Sequence, residues 1–271
     1  MLKNLPKNQE NMSFCSVYGP VNSWRFGRSL GIDPIGAIST CSFDCVYCQL
    51  GEIEKLTSDR QVFISTGQIL QDLQSFAPWN VDVITLSGSG EPTLALNLGE
   101  ILAKVKELTA KPLVVLTNGT LLKDPDVRAA LALTDRVAVK LDAVSGEQLR
   151  RVNRPVAEVN FSDIWQGIQL FRADYPGKLA IQTMILSAWN SEIQSDYINR
   201  IKLLVPDEIQ LNTPSRPKPL THQLEARGNT QIADCVYPAN TLKCVDADYL
   251  KTFADRIQQQ TGISVRWKIS D

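Results

Sequence analysis

Short apolar, β-branched runs alternate along this chain with longer segments whose apolar positions recur every three or four residues. Val81–Ser87, Leu113–Thr117, Val137–Leu141, Leu179–Leu186 and Glu208–Leu211 read as strands, and an earlier strand is expected within Ser29–Ile35. The helical pattern is clearest in Leu98–Leu108, which places Leu98, Ile101, Leu102, Val105 and Leu108 on one face. Gly67–Phe76 follows a Ser65-Thr66 cap, and Asp126–Leu133 follows Pro125, a residue suited to a helix start. Phe161–Phe171 and Ile193–Leu204 complete the alternation. Repeated β-then-α units imply a parallel sheet with right-handed crossovers. About six strands can be counted by this rule, so a partial (β/α) barrel and an open doubly wound sheet are the two candidates.

The texture changes after Asn212. Pro214, Pro217 and Pro219 fall close together, polar sequence runs on to Cys244, and a helix at Ala247–Gln259 and a strand at Ser264–Lys268 follow. The expected division is an N-terminal extension over 1–28, a core over 29–215, and a C-terminal extension over 216–271 packed on that core.

Composition narrows the function classes without choosing among them. The 28 Lys and Arg nearly balance the 29 Asp and Glu, so no global field draws the chain to nucleic acid or to an anionic membrane. The start, MLKNLPKNQENMSF, lacks the apolar stretch of a secretory signal, and no later run is long enough to cross a bilayer. A cytoplasmic protein is expected. The single histidine, His222, disfavours multi-histidine zinc sites and most nucleophile–histidine pairs. Its Pro-rich, polar surroundings suggest a solvated loop.

Six cysteines are present, and three of them crowd into Cys41-Ser-Phe-Asp-Cys45-Val-Tyr-Cys48. In a reducing compartment such clustering points to metal rather than to disulfides. Three thiolates at this spacing can wrap one soft metal centre, and a four-iron cluster held by three of them keeps one iron open for another ligand. A zinc site with a distant fourth ligand and a set of structural thiols are the alternatives.

The C-x3-C-x2-C spacing, with Tyr47 before the last cysteine, resembles the signature of the radical S-adenosylmethionine (SAM) superfamily. That resemblance implies a partial (β/α)6 TIM-like barrel and a [4Fe-4S] cluster on Cys41, Cys45 and Cys48. It also implies reductive cleavage of SAM to a 5′-deoxyadenosyl radical that takes hydrogen from a substrate, with the cofactor carrying the hard chemistry. A flavodoxin or ferredoxin is the implied electron donor.

Other positions agree with it. Gly88-Ser89-Gly90-Glu91 follows the strand at Val81–Ser87 and is similar to the family's Gly-Gly-Glu motif, which binds the methionyl ammonium. A tight β-to-α turn would explain the same residues. Thr117 and Asn118 end the next strand, and Asn118 is a candidate to hydrogen-bond the cofactor, although Asn118-Gly119 is also a good turn. Asp142 is placed to hold ribose hydroxyls, and Thr183 and Met184 to pack on adenine, with core packing the alternative for Met184. The cysteines, Glu91, Asn118, Asp142 and Asn212 all fall at or just past C-terminal strand ends, where parallel α/β barrels place their active sites.

The run Tyr18–Asp33, with Cys48-Gln-Leu-Gly51, Gly88–Leu94 and Arg151-Val-Asn153-Arg154-Pro155, resembles prokaryotic Fe-S oxidoreductases related to the wyosine tRNA-base synthases. Asn22-Ser23-Trp24-Arg25 stands where that group has Pro-Ser-Arg-Arg. Arg25 and Arg28, with Arg150, Arg151 and Arg154, are candidates for an anion-binding surface facing RNA or a small acidic substrate, or simply for a solvated basic face. Cys15, Cys235 and Cys244 could ligate an auxiliary [4Fe-4S] cluster or be free thiols. Two other readings of the chain remain open: a non-catalytic Fe-S or zinc-binding module for RNA binding or electron transfer, and a radical enzyme that modifies a tRNA base.

Overall fold

The computed structural model describes residues 14–214, 216–228 and 237–268. Its framework is one eight-stranded sheet. In chain order the elements are β1 (Val17–Ser23), β2 (Gly27–Ile32), β3 (Thr40–Cys41), β4 (Lys55–Leu56), α1 (Thr66–Gln74), β5 (Val83–Leu86) and α2 (Leu98–Thr109). Then come β6 (Leu113–Thr117), α3 (Pro125–Leu131), β7 (Arg136–Lys140), α4 (Gly146–Val152), α5 (Phe161–Asp174), β8 (Lys178–Met184), α6 (Ser191–Leu204) and β9 (Glu208–Asn212). The chain continues through β10 (Lys218–Pro219), β11 (Ala239–Asn240), α7 (Ala247–Thr261) and β12 (Val265–Lys268).

The sheet order is β1-β2-β5-β6-β7-β8-β9-β12. All neighbours pair in parallel except the β1–β2 hairpin. The order follows the chain without reversal, so there is no switch point of the doubly wound kind. The sheet also curls. Arg266 on β12, at one edge, donates from Nη1 to the Arg25 carbonyl (2.9 Å) and from Nη2 to the Trp24 carbonyl, in the hairpin turn at the other edge. The result is a half-barrel with parallel strands, and both of the segments expected as extensions contribute strands to it.

Local sequence explains the helices. Ser65, Asp124, Asn160, Asn190 and Asp246 each stand at an N-cap and accept a backbone N–H two or three residues on. Helix α4 was not expected from periodicity, being short and carrying Arg150 and Arg151; its signal is the cap Ser145, which accepts from Gln148 N. The strand expected within Ser29–Ile35 stops at Ile32 because Asp33 Oδ1 accepts from Ile35 N and Gly36 N and turns the chain.

The two faces of the sheet differ. Val137, Val139, Leu179, Ile181, Ile209 and Leu211 pack with Ile101, Leu102, Ile168, Ile198 and Phe253 of the surrounding helices. Their strand neighbours point into the concave side, and there β7 carries Arg136 and Lys140, β8 carries Lys178 and Gln182, and β9 carries Glu208, Gln210 and Asn212. Parallel sheets covered on both faces are usually apolar on both, so the concave face is built for something polar. Among the described residues no helix is long and apolar enough to cross a membrane.

Candidate functional site

The cysteine loop lies across the C-terminal ends of the strands. Thr40 and Cys41 pair with Lys55 and Leu56, and Thr40 bridges to Gly90, which fixes the loop to the turn after β5. Phe43 bridges to Pro155, and Val46 N donates to Val152 O (2.9 Å), which fixes its far side to the turn after α4. The loop is thus clamped between two structured turns by backbone contacts.

The sulfurs meet hydrogen-bond donors. Asn153 Nδ2 points at Cys45 Sγ (3.4 Å), and Asn118 Nδ2 at Cys41 Sγ (3.6 Å), to which Phe43 N also donates (3.4 Å). Burial pushes all three thiols up, Cys45 to about 12 with nearby Asp142 adding to the effect, and Cys41 well above its ordinary value with Glu91 adding. The three cysteines are half-buried, and amide donors face two of their sulfurs. Iron held there would keep the three as thiolates, and the N–H···S contacts would tune the cluster. This donor set fits a [4Fe-4S] cluster. Among the described residues no three His, Cys, Asp or Glu side chains converge on one ion, and ligands to separate irons of a cluster need not.

The structure gathers the sequence candidates around this loop but occupies several of them with each other. Glu91 is 2% exposed. Its Oε1 accepts from Thr93 N (3.1 Å), Thr93 Oγ1 (2.7 Å) and Thr117 Oγ1 (2.6 Å), and its Oε2 from Asn118 N (2.7 Å). Burial pushes the Glu91 carboxyl up even so. Its carboxylate joins the tips of β5 and β6. Asp142 is similarly committed: Oδ1 accepts from Met184 N (2.7 Å), and Oδ2 from Asn153 Nδ2 (2.8 Å) and the Tyr47 hydroxyl. Lys140 Nζ lies 3.6 Å from that carboxylate and 4.7 Å from the Tyr47 ring centroid. Burial, with Asp142 beside it, holds the Tyr47 phenol well above its usual range. Gly88 and Ser89 are fixed by Asp33, whose Oδ2 accepts from Ser89 N (2.9 Å) and Ser89 Oγ (2.6 Å).

Some residues that contact the site were not singled out by the sequence. Asp33 also takes Arg227 Nη1 (3.0 Å), so the C-terminal segment grips the turn after β5. The same segment covers the cysteine loop. Gln223 N donates to Leu50 O (2.8 Å), Lys218 Nζ reaches Cys45 O (3.5 Å), and a Cβ on Gly51 would come 2.3 Å from Thr221 O. Asn153 is the other addition. It links Cys45, Tyr47 and Asp142, its buried Oδ1 meets no protein donor, and it lines a small cavity of about 10 Å³ with Phe43, Asn118, Lys140 and Asp142. Removing a partner of this kind costs about 10–100-fold in metal affinity. Asn153→Ala is therefore expected to release iron to a chelator at least about tenfold faster than wild type, read from bleaching of the cluster absorbance.

Three expectations need correction or limits. His222 is not solvated: its side chain is 13% exposed, and Nε2 lies 3.6 Å from Glu54 Oε2. The five arginines do not form one surface. Arg25 lies at the N-terminal ends of the strands, beside Val83 and Lys178, whereas Arg154 pairs with Asp44 in the cysteine loop at the opposite pole (3.5 Å). Cys15 and Cys244 both lie toward the cluster end; Cys15 donates to Val17 O (3.2 Å) and Cys244 to Pro214 O (2.7 Å), while Cys235 lies outside the described residues.

A curled parallel half-barrel with a three-cysteine loop over its C-terminal pole defines a class, and residues 37–192 match the model of that class: the chain belongs to the radical SAM superfamily. Within it, the chain is 56% identical over 259 residues to a UPF0026 protein of Synechocystis sp., covering 94% of this chain and 97% of that one. It is 34% identical to a UPF0026 protein of Methanocaldococcus jannaschii, over 74% of this chain and 64% of that one. The fold is similar to Streptococcus suis SuiB, solved bound to S-adenosylmethionine, with a TM-score of 0.60 at 13% identity over 85% of this chain. The chain spans 48% of that larger protein.

Proposed function

We propose that this protein cleaves S-adenosylmethionine reductively at a [4Fe-4S] cluster held by Cys41, Cys45 and Cys48, giving a 5′-deoxyadenosyl radical that takes hydrogen from a substrate. The observation that carries the reading is the clamped cysteine loop with amide donors aimed at two of its sulfurs. A non-catalytic iron or zinc module has no need of the Glu91 and Asp142 networks that hold four strand ends in register around that loop.

The protein's own part is positioning. Glu91 locks the turn after β5 to β6, so the backbone of residues 88–91 presents a fixed edge to the methionyl end of the cofactor. Asp142 locks β7 to β8 and to Tyr47, and Asn118 and Asn153 donate to the sulfurs. Lys140 lies beside Asp142 and over the Tyr47 ring, which places an ammonium against that carboxylate. A flavodoxin or ferredoxin supplies the electron, in this reading, on the cluster side of the half-barrel.

The test is anaerobic. Iron-reconstituted protein, reduced with dithionite and given S-adenosylmethionine, is expected to release 5′-deoxyadenosine, and to release none when reductant or iron is left out. A cluster that forms and reduces but yields no nucleoside would overturn the proposal in favour of a metal-binding module.

A further inference from the structure

The concave face ends, at the pole opposite the cysteines, in a pocket of about 700 Å³. That is the size of a small-molecule site. The hairpin turn after β1 supplies Arg25 and Phe26, the starts of β7 and β8 supply Arg136 and Lys178, and β12 supplies Arg266. The strand starts lining it carry none of the residues placed in the cluster site.

Arg25 and Arg136 are held in place by aromatic rings, while Arg266 pairs with Glu208. The Arg25 guanidinium lies 5.5 Å from the Trp24 ring centroid and 5.9 Å from that of Phe26. Arg136 lies 5.8 Å from Phe26, and Arg266 lies 5.6 Å from Trp24. Two aromatic rings therefore separate and orient three guanidinium groups. The carboxylates nearby are already engaged. Asp135 Oδ2 takes Lys106 Nζ (2.5 Å) and Leu113 N (2.7 Å), and Glu208 takes Arg266 (3.6 Å) and Gln210. Among the described residues no carboxylate pairs with Arg25, Arg136 or Lys178, and Arg25 Nε is buried without a hydrogen-bond partner.

A buried N–H of a guanidinium without an acceptor is costly, and a planar fork of donors matches a carboxylate or phosphate. We propose that the N-terminal mouth of the half-barrel is an oxyanion-binding pocket, with Arg25 at its centre and Arg136, Lys178 and Arg266 around it, for the phosphate or carboxylate group of a small molecule. Burial first, and then the nearby charges of Arg216 and Arg266, lower Arg25 to about 10, and a bound anion opposes both effects. The site shares no residue with the cluster site, so it stands or falls apart from the radical chemistry.

Binding is read without turnover, by titrating the full-length chain with pyrophosphate or with citrate while following tryptophan fluorescence, since the Trp24 ring packs on two of the lining arginines, Arg25 and Arg266. Saturable binding of pyrophosphate is expected, and Arg25→Met and Arg136→Met should each weaken it about tenfold or more, the effect of losing one charge-assisted hydrogen bond. Lys104→Met, which removes an exposed charge on α2, should bind as wild type does. Binding of pyrophosphate alone identifies a phosphate site, and binding of citrate alone a carboxylate site. No saturable response to either anion at about 10 mM, at the weak end of meaningful affinities, overturns the proposal. So does binding that survives both substitutions. Arg136→Met lies on a different element from Arg25→Met and decides the matter if the hairpin variant does not fold, and parallel 5′-deoxyadenosine assays show whether the radical reading fails separately.

Discussion

Cys45→Ala is expected to hold little iron after reconstitution and to release no detectable 5′-deoxyadenosine, while its melting temperature without iron stays within a few degrees of wild type. The first half of that result follows from the donor set. Only three thiols face one another in the 41–48 loop, and each is pushed up by burial, so the unmetallated site has no standing thiolate to compensate for a lost ligand. The second half follows from how the loop is held. Its clamps are backbone bonds, Asp44 N to Arg154 O (3.2 Å), Val46 N to Val152 O (2.9 Å) and Val156 N to Ser42 O (3.0 Å), and the Cys45 side chain takes part in none of them. A chain that melted far below wild type would show that the thiol is structural. The same iron measurement decides the auxiliary cluster. About four irons per wild-type chain mean one cluster, and about eight mean that Cys15, Cys235 and Cys244 hold a second. In the second case Cys244→Ala should halve the count, and in the first leave it unchanged.

Much of this arrangement is legible in the sequence, for identifiable reasons. The parallel sheet announces itself because each buried strand is an apolar run bounded by polar turns, and the caps Ser65 and Asp124 mark helix starts. The cysteine spacing and the polar residues at strand ends place the site at one pole. The internal hydrogen bonds of Glu91 and Asp142 could not be read, because a carboxylate at a strand tip looks the same in sequence whatever donors the fold brings to it. The grouping of Arg25 with Arg154 failed for a different reason. Charge counting ignores that the antiparallel β1–β2 hairpin returns the chain to the N-terminal pole before β2 runs up to the site. The polar concave face was present in the alternation Arg136-Ala138-Lys140 and Glu208-Gln210-Asn212, a period-two signal hidden inside strands already accepted as apolar.

Gly90→Ala is expected to cost about 4 kcal/mol or more, at the rare end of single substitutions, and to lower the melting temperature by about 10 °C. A Cβ at residue 90 would stand 1.7 Å from Thr40 O and 2.6 Å from Thr40 C. Those are backbone atoms of the segment that carries Cys41, tied by Thr40 N to Ser89 O (3.0 Å) and by Glu91 N to Thr40 O (3.1 Å), so no side-chain rotation relieves the overlap. The turn must separate from β3, and the cluster should be lost with it. Glu91→Gln probes the adjoining joint without changing its size. An amide nitrogen would then face donors that the carboxylate now accepts, which costs about 1–3 kcal/mol for each one left unsatisfied. The Glu91 joint also has a pH signature. Because burial raises the folded Glu91 carboxyl, the folded wild type binds more protons than the unfolded chain just above the ordinary glutamate value of about 4.3. Its stability from this group therefore falls as pH rises through that window. Glu91→Gln should lose that slope, and a Glu91→Gln chain with the wild-type slope would mean that another carboxyl carries the titration.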